Sequence, residues 1–413
     1  MKAPLKIGIN GRFLVAKRTG VQRAAYNLVR ALLSLDRLNE YVLFTGNEEV
    51  GKSDWDYPNV KVVGANLRSS ESLRNHIWEQ FELPRLARAE KIDILHSPAN
   101  IAPLFYRGKS IVHIHDLCFV VNPQWYSFSF RTVYNYLIPK IAKRATRVIT
   151  NSNNSKNDLL QFFGISAEKI SLVYWAVDDS FLPNPNPNPN PNNQESRSEE
   201  KEDYILYVGS LEPRKNISLL LDAYEILRGS IPGIKTKLVL IGGESPLFAS
   251  ARIKVKNFAE DIVFKGFVTD EELRDYYRKA KVVAYPSLYE GFGLPPLEAM
   301  ASGTPVVSTR TSSIPEVVGD AAILVSPHDA DELASALKSV LTDQQLSSQL
   351  IQNGYRQVKA FTWIRVAKSV LGIYEQLAKS DQGLGYSSFE PISFLEWKRI
   401  KELGGEYLPV EVG

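Results

Sequence analysis

A chain of 413 residues with 44% hydrophobic and 23% charged side chains has the composition of an ordinary soluble globular protein and is too long for one compact core, so two α/β domains are expected. No run approaches the roughly 18–20 apolar residues of a spanning helix. No secretory leader is expected at the start, since Lys2 and Lys6 are followed only by a short strand-like run and then by Asn10, Gly11 and Arg12. The single Cys118 excludes an internal disulfide and fits a reducing, cytoplasmic setting. The net charge of +3 hides an asymmetry: residues 1–178 hold 24 Lys and Arg against 15 Asp and Glu, and the remainder 25 against 31. A basic first half suits an anionic partner, either a phosphate-bearing substrate or a membrane surface, unless the charges are scattered and solvated.

In chain order, runs rich in β-branched residues alternate with stretches of helical periodicity, the pattern of βαβ units and parallel sheets. The predicted strands of the first half are LKIGIN (5–10), YVLFTG (41–46), VKVVGA (60–65), IDILHS (92–97), SIVHIH (110–115) and RVITNS (147–152). VQRAAYNLVRALLSL (21–35) carries apolar residues at helical spacing. The aromatic and basic stretch WYSFSFRTVYNYLIPKIAKR (125–144) reads either as an interfacial helix meeting anionic lipid or as a packed helix kinked near Pro139. Next comes PNPNPNPNPNN (183–193) with the polar QESRSEEKED (194–203), which has little capacity for ladder hydrogen bonds and no apolar content to bury. It reads as an interdomain linker over 183–203. The second half repeats the scheme with YILYVGS (204–210), KLVLIGG (237–243), DIVFKGFV (261–268), KVVAYPS (281–287), PVVSTR (305–310) and AAILVSP (321–327), then helical patterns over 330–343, 345–361 and 362–379. The tail, 381–413, holds one short charged helix candidate near Phe394–Leu403 and suggests no role.

The most informative local pattern is Glu290-Gly291-Phe292-Gly293-Leu294-Pro295-Pro296-Leu297-Glu298. It follows a predicted strand and opens a predicted helix, because proline in the first helical turn forfeits no hydrogen bond. That helix is expected to end at Gly303, with Glu298 in its first turn. The glycines let backbone N–H groups approach a ligand, and a helix N-terminus favours an anion. Carboxylates at both ends suit sugar hydroxyls, since each oxygen accepts what a hydroxyl donates. By spacing alone a strand–loop–helix joint with a dipole-favouring glutamate explains the pattern equally well.

In this loop the chain resembles the family 4 retaining glycosyltransferases. The resemblance runs on through YVGSLEPRKN (207–216), IGG (241–243), FKGFV (264–268) and IPEVVGDAA (314–322). In the first half it covers TGVQRAAYNLVRAL (19–32), DILHSP (93–98), IHDLCFVVNP (114–123) and VITNSNNSKNDL (148–159). It implies the GT-B fold: two Rossmann-like domains with parallel sheets facing a central cleft, an N-terminal domain over 1–180 on the acceptor side, a nucleotide-sugar-binding domain over 204–360, and a helix over 361–380 crossing back. By the same resemblance Glu290 contacts the donor sugar and Glu298 the ribose. The amides of Gly291, Phe292 and Gly293, with Leu294 beside them, cap the sugar and diphosphate. Arg214 and Lys215 hold the diphosphate, where the leaving group gathers negative charge. Phe267 and Val268 meet the base, His115 reaches the donor sugar near the reacting carbon, and Gly20 and Val21 approach the diphosphate and acceptor. Some members carry arginine where this chain has Ser210, which would leave the phosphate charge to Arg214 and Lys215.

The expected activity is retaining transfer of a sugar, mannose from GDP-mannose in the favoured reading, to a glycan or lipid-linked acceptor. UDP-glucose, UDP-N-acetylglucosamine and dTDP-rhamnose remain alternatives. No cofactor, metal or nucleic-acid partner is expected: His76, His96, His113 and His328 show no ligand spacing, and Asp178-Asp179 lacks a third ligand. Rival readings are a sugar-nucleotide epimerase and a non-catalytic sugar-nucleotide-binding subunit. The expected location is cytoplasmic, with peripheral contact to the inner face of an anionic membrane.

Overall fold

The computed structural model describes residues 3–15, 20–46, 52–64, 72–183, 201–231, 234–243 and 260–379. Most of the Pro/Asn linker and all of the tail lie outside them. The chain packs as two compact units, one of Met1–Trp175 with the segment from Trp363, the other of Ala176–Thr362.

The first unit is built on β1 (Lys6–Asn10), β2 (Glu40–Thr45), β3 (Val60–Gly64), β4 (Ile94–Ser97), β5 (Lys109–His113), β6 (Arg147–Thr150) and β7 (Ile170–Leu172). They form one sheet in the order β3-β2-β1-β4-β5-β6-β7, all parallel. β4 is buried along its whole length and β2 along all but its first residue, as continuous apolar runs covered on both faces must be. β7 is the strand that sequence reading missed. Three residues at a sheet edge leave too short a pattern to register.

The helix Gly20–Leu35 buries Ala24, Ala25, Leu28, Val29, Leu32 and Leu33, a stripe at the spacing expected of a core-facing helix. The final helix, Trp363–Lys379, packs against it and buries Val366, Ala367, Val370, Ile373, Tyr374 and Leu377. Its polar contacts include Tyr374 Oη, 2.5 Å from His96 Nδ1, and Lys109 Nζ, which donates to the Leu377 carbonyl at 2.8 Å. The aromatic stretch folds as one helix, Phe128–Arg144, that runs through Pro139 and buries Phe130, Val133, Leu137, Ile138, Ile141 and Ala142. Phe128 at its start is 74% exposed. Among the described residues no helix is long and apolar enough to cross a membrane.

The second unit holds β8 (Tyr204–Val208), β9 (Lys237–Ile241), β10 (Ile262–Gly266), β11 (Val282–Tyr285), β12 (Val306–Thr309) and β13 (Ala322–Val325). Their order is β10-β9-β8-β11-β12-β13, again wholly parallel. Both sheets are thus doubly wound. In each, the strand order reverses beside the first strand, between β1 and β4 and between β8 and β11. Loops leaving the carboxyl ends there diverge to opposite faces and open a crevice, the place where such sheets bind ligands.

Candidate active site

The crevice of the second sheet collects the charged candidates. A 3₁₀ turn, Pro213–Lys215, follows β8, and the loop Pro286–Gly293 follows β11. Because β8 and β11 are neighbours, residues some 75 positions apart in the chain meet. Arg214 Nη1 donates to Glu290 Oε2 at 2.9 Å, and Lys215 Nζ to Glu290 Oε1 at 2.7 Å. All three side chains are buried. Tyr285, at the end of β11, closes the knot: its hydroxyl lies 2.8 Å from Glu290 Oε1 and 2.7 Å from Lys215 Nζ.

Burial alone would push the Glu290 carboxyl pKa up, but the Lys215 and Arg214 charges overcome it and bring it down to about 2. Glu290 is therefore ionised at every physiological pH. Burial and the neighbouring Arg214 lower the Lys215 ammonium, and Glu290 opposes them. Arg214 Nε also lies 3.8 Å from Glu212 Oε2, a partly exposed carboxylate, so two cations face two carboxylates, of which the buried Glu290 is shared by both.

Hydroxyls hold the loop in place. Ser312 Oγ accepts from the Glu290 N–H at 2.8 Å, and Ser313 Oγ donates to the carbonyls of Glu290 and Phe292 at 2.9 and 2.8 Å. The Leu288 N–H donates to the Arg214 carbonyl at 2.8 Å, tying this loop to the first. Gly293 adopts φ 106°, a left-handed conformation that glycine tolerates. It ends the loop so that the helix runs Leu294–Ala301. Glu298 consequently lies in the second helical turn, a correction to the first-turn expectation: at 3.6 residues per turn, a helix that starts at Leu294 has completed a turn before reaching it. The helix also stops at Ala301, with Gly303 (φ 71°) in the turn beyond. Glu298 Oε2 accepts from the Tyr277 hydroxyl at 3.0 Å.

The other candidates of this unit are more dispersed. Phe292 is buried and packs edge-on to Phe361, with ring centres 5.9 Å apart. Phe267 is 72% exposed, and its ring lies close over Gly243, while Val268 beside it is half-buried. Ser210 Oγ is buried and has no hydrogen-bond partner among the described residues.

Gly20, Val21 and His115 belong to the first unit. Gly20 is exposed at the start of its helix, and a Cβ there would meet nothing within 4 Å. His115 lies just beyond β5 and is buried, with its ring centre 4.6 Å from that of Trp175. Its backbone N–H donates to Asn100 Oδ1 at 3.0 Å, and its carbonyl accepts from Ser155 Oγ at 2.8 Å. Burial lowers its pKa to about 3, against a hydrogen bond at Pro98 that raises it, so the ring is neutral at pH 7. The structure also brings together histidines whose spacing looked unrelated: His96 Nε2 and His113 Nε2 are 2.8 Å apart, and the His113 and His115 rings lie tilted with centres 5.8 Å apart.

Sequence reading missed Tyr285, Tyr277, Ser312 and Ser313. The tyrosine of the YPS run marked a strand end, with nothing local to show that its hydroxyl faces a lysine 70 residues earlier.

Both halves of the chain match known families. A model described as Glycosyltransferase Family 4 covers residues 18–181, and one described as Glycosyl transferases group 1 covers residues 190–357. The chain is 27% identical to O-antigen chain mannosyltransferase B of Escherichia coli, over 87% of its own length and 96% of that protein's. It is 34% identical to the MMP alpha-(1->4)-mannosyltransferase of Mycolicibacterium hassiacum, over 61% and 58%. Sucrose-phosphate synthase from Thermosynechococcus elongatus superposes with a TM-score of 0.70 at 21% identity, covering 91% of this chain and 100% of that one, and shares the GT-B fold. Two doubly wound sheets, and two family models that between them span most of the residues, carry one conclusion: the chain is an enzyme of glycosyltransferase family 4, whose members transfer hexoses with retention.

Proposed function

We propose that this enzyme transfers a mannosyl group from GDP-mannose to a hydroxyl of a growing glycan or lipid-linked acceptor, with retention at the anomeric carbon. The observation that carries the donor assignment is the buried Arg214–Glu290–Lys215 knot at the carboxyl ends of β8 and β11. It combines two cationic donors for a diphosphate with a carboxylate for a sugar hydroxyl. The buried Ser210 hydroxyl adds a donor for a phosphate oxygen where some relatives have arginine. The mannosyl choice rests on the names of the two mannosyltransferases to which the chain is similar.

In this reading the acceptor oxygen bonds to the anomeric carbon from the face the diphosphate leaves. The bond to the diphosphate breaks, and a phosphate oxygen takes the acceptor's proton. Arg214, Lys215 and the amides of Gly291, Phe292 and Gly293 stabilise the charge that builds on the leaving group. Glu290, ionised and held by both cations, positions the sugar and forms no covalent bond. Leu294 starts the helix behind the loop, and Glu298 takes the ribose hydroxyls. Phe267 and Val268 flank the base. Neutral His115 orients a sugar hydroxyl without adding charge, and Gly20 and Val21 line the approach of diphosphate and acceptor.

The test is a panel of sugar nucleotides scored for nucleotide release, with product configuration read by NMR. GDP-mannose should be turned over fastest, and Glu290→Gln should lose roughly 100-fold or more in turnover, the scale at which preorganised active-site groups act. Preference for another sugar nucleotide would replace the donor. Near-normal turnover by Glu290→Gln would remove that residue from the site.

A further inference from the structure

The crevice of the first sheet holds a second polar cluster that the donor site does not use. β1 ends at Asn10, and the 3₁₀ turn Gly11–Leu14 brings Arg12 over the sheet edge, with Asn10 Oδ1 accepting from the Arg12 N–H at 3.3 Å. Gly11 permits this turn, because a Cβ there would lie 2.5 Å from the Phe44 carbonyl oxygen. Opposite lies Glu79, 1% exposed, on a π-helical turn, Trp78–Glu82. Such turns are rare and gather at functional sites. Asn10 Nδ2 and Arg12 Nη1 each donate to Glu79 at 2.6 Å, and Asn10 Nδ2 also reaches Ser97 Oγ, at the end of β4, at 3.2 Å. The Arg12 guanidinium lies along the His76 ring, with Nη1 and Nη2 each 3.2 Å from a ring nitrogen. Burial and Arg12 keep that ring neutral.

A buried ion pair is seldom worth its desolvation as a stabilising device, so the arrangement calls for another use. Arginine carries five N–H donors. Glu79 takes one, and a neutral imidazole offers a single acceptor nitrogen. The donors that remain have no partner among the described residues, and the Arg12 side chain is 16% exposed while Glu79 and Asn10 are shut in. What the cluster presents is therefore a donor-only edge. Sugar hydroxyls both donate and accept, whereas a phosphate or carboxylate only accepts, which suits such an edge. The surplus of basic residues in the first half favours the same ligand class.

We infer that Arg12, aimed by Glu79 and His76, binds an anionic group, a phosphate or carboxylate, carried by the acceptor substrate. This rests on the glycosyl-transfer reading, because it assigns the group to the acceptor. The alternative source of the same chemistry is the donor's own diphosphate. Calorimetric titration of inorganic phosphate into the full chain at low ionic strength, with and without saturating GDP or UDP, separates them. The wild type should bind phosphate in both conditions, and Arg12→Gln should weaken it by about tenfold or more, as loss of a charge-assisted bond implies. Arg12→Lys, which keeps the charge opposite Glu79 but loses the planar fork, should fall between. It decides the matter if Arg12→Gln does not fold. Phosphate binding that disappears when nucleotide saturates would hand Arg12 to the donor and overturn the assignment. Wild-type affinity in both variants, or no phosphate binding by the wild type, would overturn it too. Absence of nucleotide binding in the same titration would count against the donor site alone and leave the Arg12 result standing.

Discussion

Gly242 shows how a single position sets the shape of the donor crevice. It follows β9 with φ 144°, and a Cβ there would sit 1.9 Å from the carbonyl oxygen of Gly209, itself at φ 154° just after β8. The two glycines let adjacent strand ends approach closely, which places Ser210 and the Arg214–Lys215 turn. Neither backbone can yield without breaking a hydrogen bond, Gly209 N–H to Ile241 or Gly242 N–H to Gly266, both 2.9 Å. Gly242→Ala should therefore cost more than about 2 kcal/mol, measured by urea unfolding. A change below about 0.5 kcal/mol would mean the strand ends are less tightly packed than described. The IGG run (241–243) made Gly242 visible in the sequence, and YVGSLEPRKN (207–216) made Gly209 visible. The clash that requires them depends on the pairing of β8 with β9, which no local pattern records.

Among the elements, the helix Trp363–Lys379 is held by polar contacts as well as by its apolar face. Its apolar face would settle on any suitable surface, but Tyr374 joins the chain Tyr374–His96–His113 through bonds of 2.5 and 2.8 Å. Tyr374→Phe removes the hydroxyl and leaves His96 Nδ1 buried without its partner, which should destabilise the protein by about 1–3 kcal/mol. Equilibrium unfolding of the variant checks this, and a neutral result would show that the hydrogen bond does not fix the helix. The helix itself was plain from its period, as were twelve of the thirteen strands among the described residues, because buried parallel strands write continuous apolar runs. The histidine pairing was not plain. His96 and His113 are 17 residues apart on adjacent strands, and only the register Ile111↔His96 of β4 with β5 brings them within reach. The π-helical turn that carries Glu79 escaped as well: no element is read from the sequence between residues 65 and 92.

For the whole molecule, acid is the weak point. Burial lowers the pKa of His96 and His115 to about 3 and holds those of His76 and His113 well below the ordinary value. Each is neutral when folded but binds a proton near pH 6.5 when unfolded. The stability they support is complete above pH 6.5 and drains away as pH falls toward their folded values. Each proton taken up only by the unfolded chain costs about 1.4 kcal/mol per pH unit, so four together approach about 5 kcal/mol per unit. Glu290, with a pKa of about 2, acts in the same direction at lower pH, its contribution fading below about 4.5. Against a typical total of about 5–15 kcal/mol, unfolding is expected between about pH 4 and 5.5, steeply. A thermal melt that is flat from pH 7 to 4 would show that these histidines are protonated in the folded protein.

The central claim is that a nucleoside-diphosphate sugar is held by Arg214, Lys215 and Glu290. Isothermal titration calorimetry of GDP-mannose into the wild type, Arg214→Gln and Lys215→Gln tests it most directly. One site is predicted in the wild type, with affinity lower by about tenfold or more in each variant, as expected when a buried charge-assisted bond to phosphate is lost. Equal affinity in all three proteins, or no binding of any nucleoside-diphosphate sugar by the wild type, would contradict it.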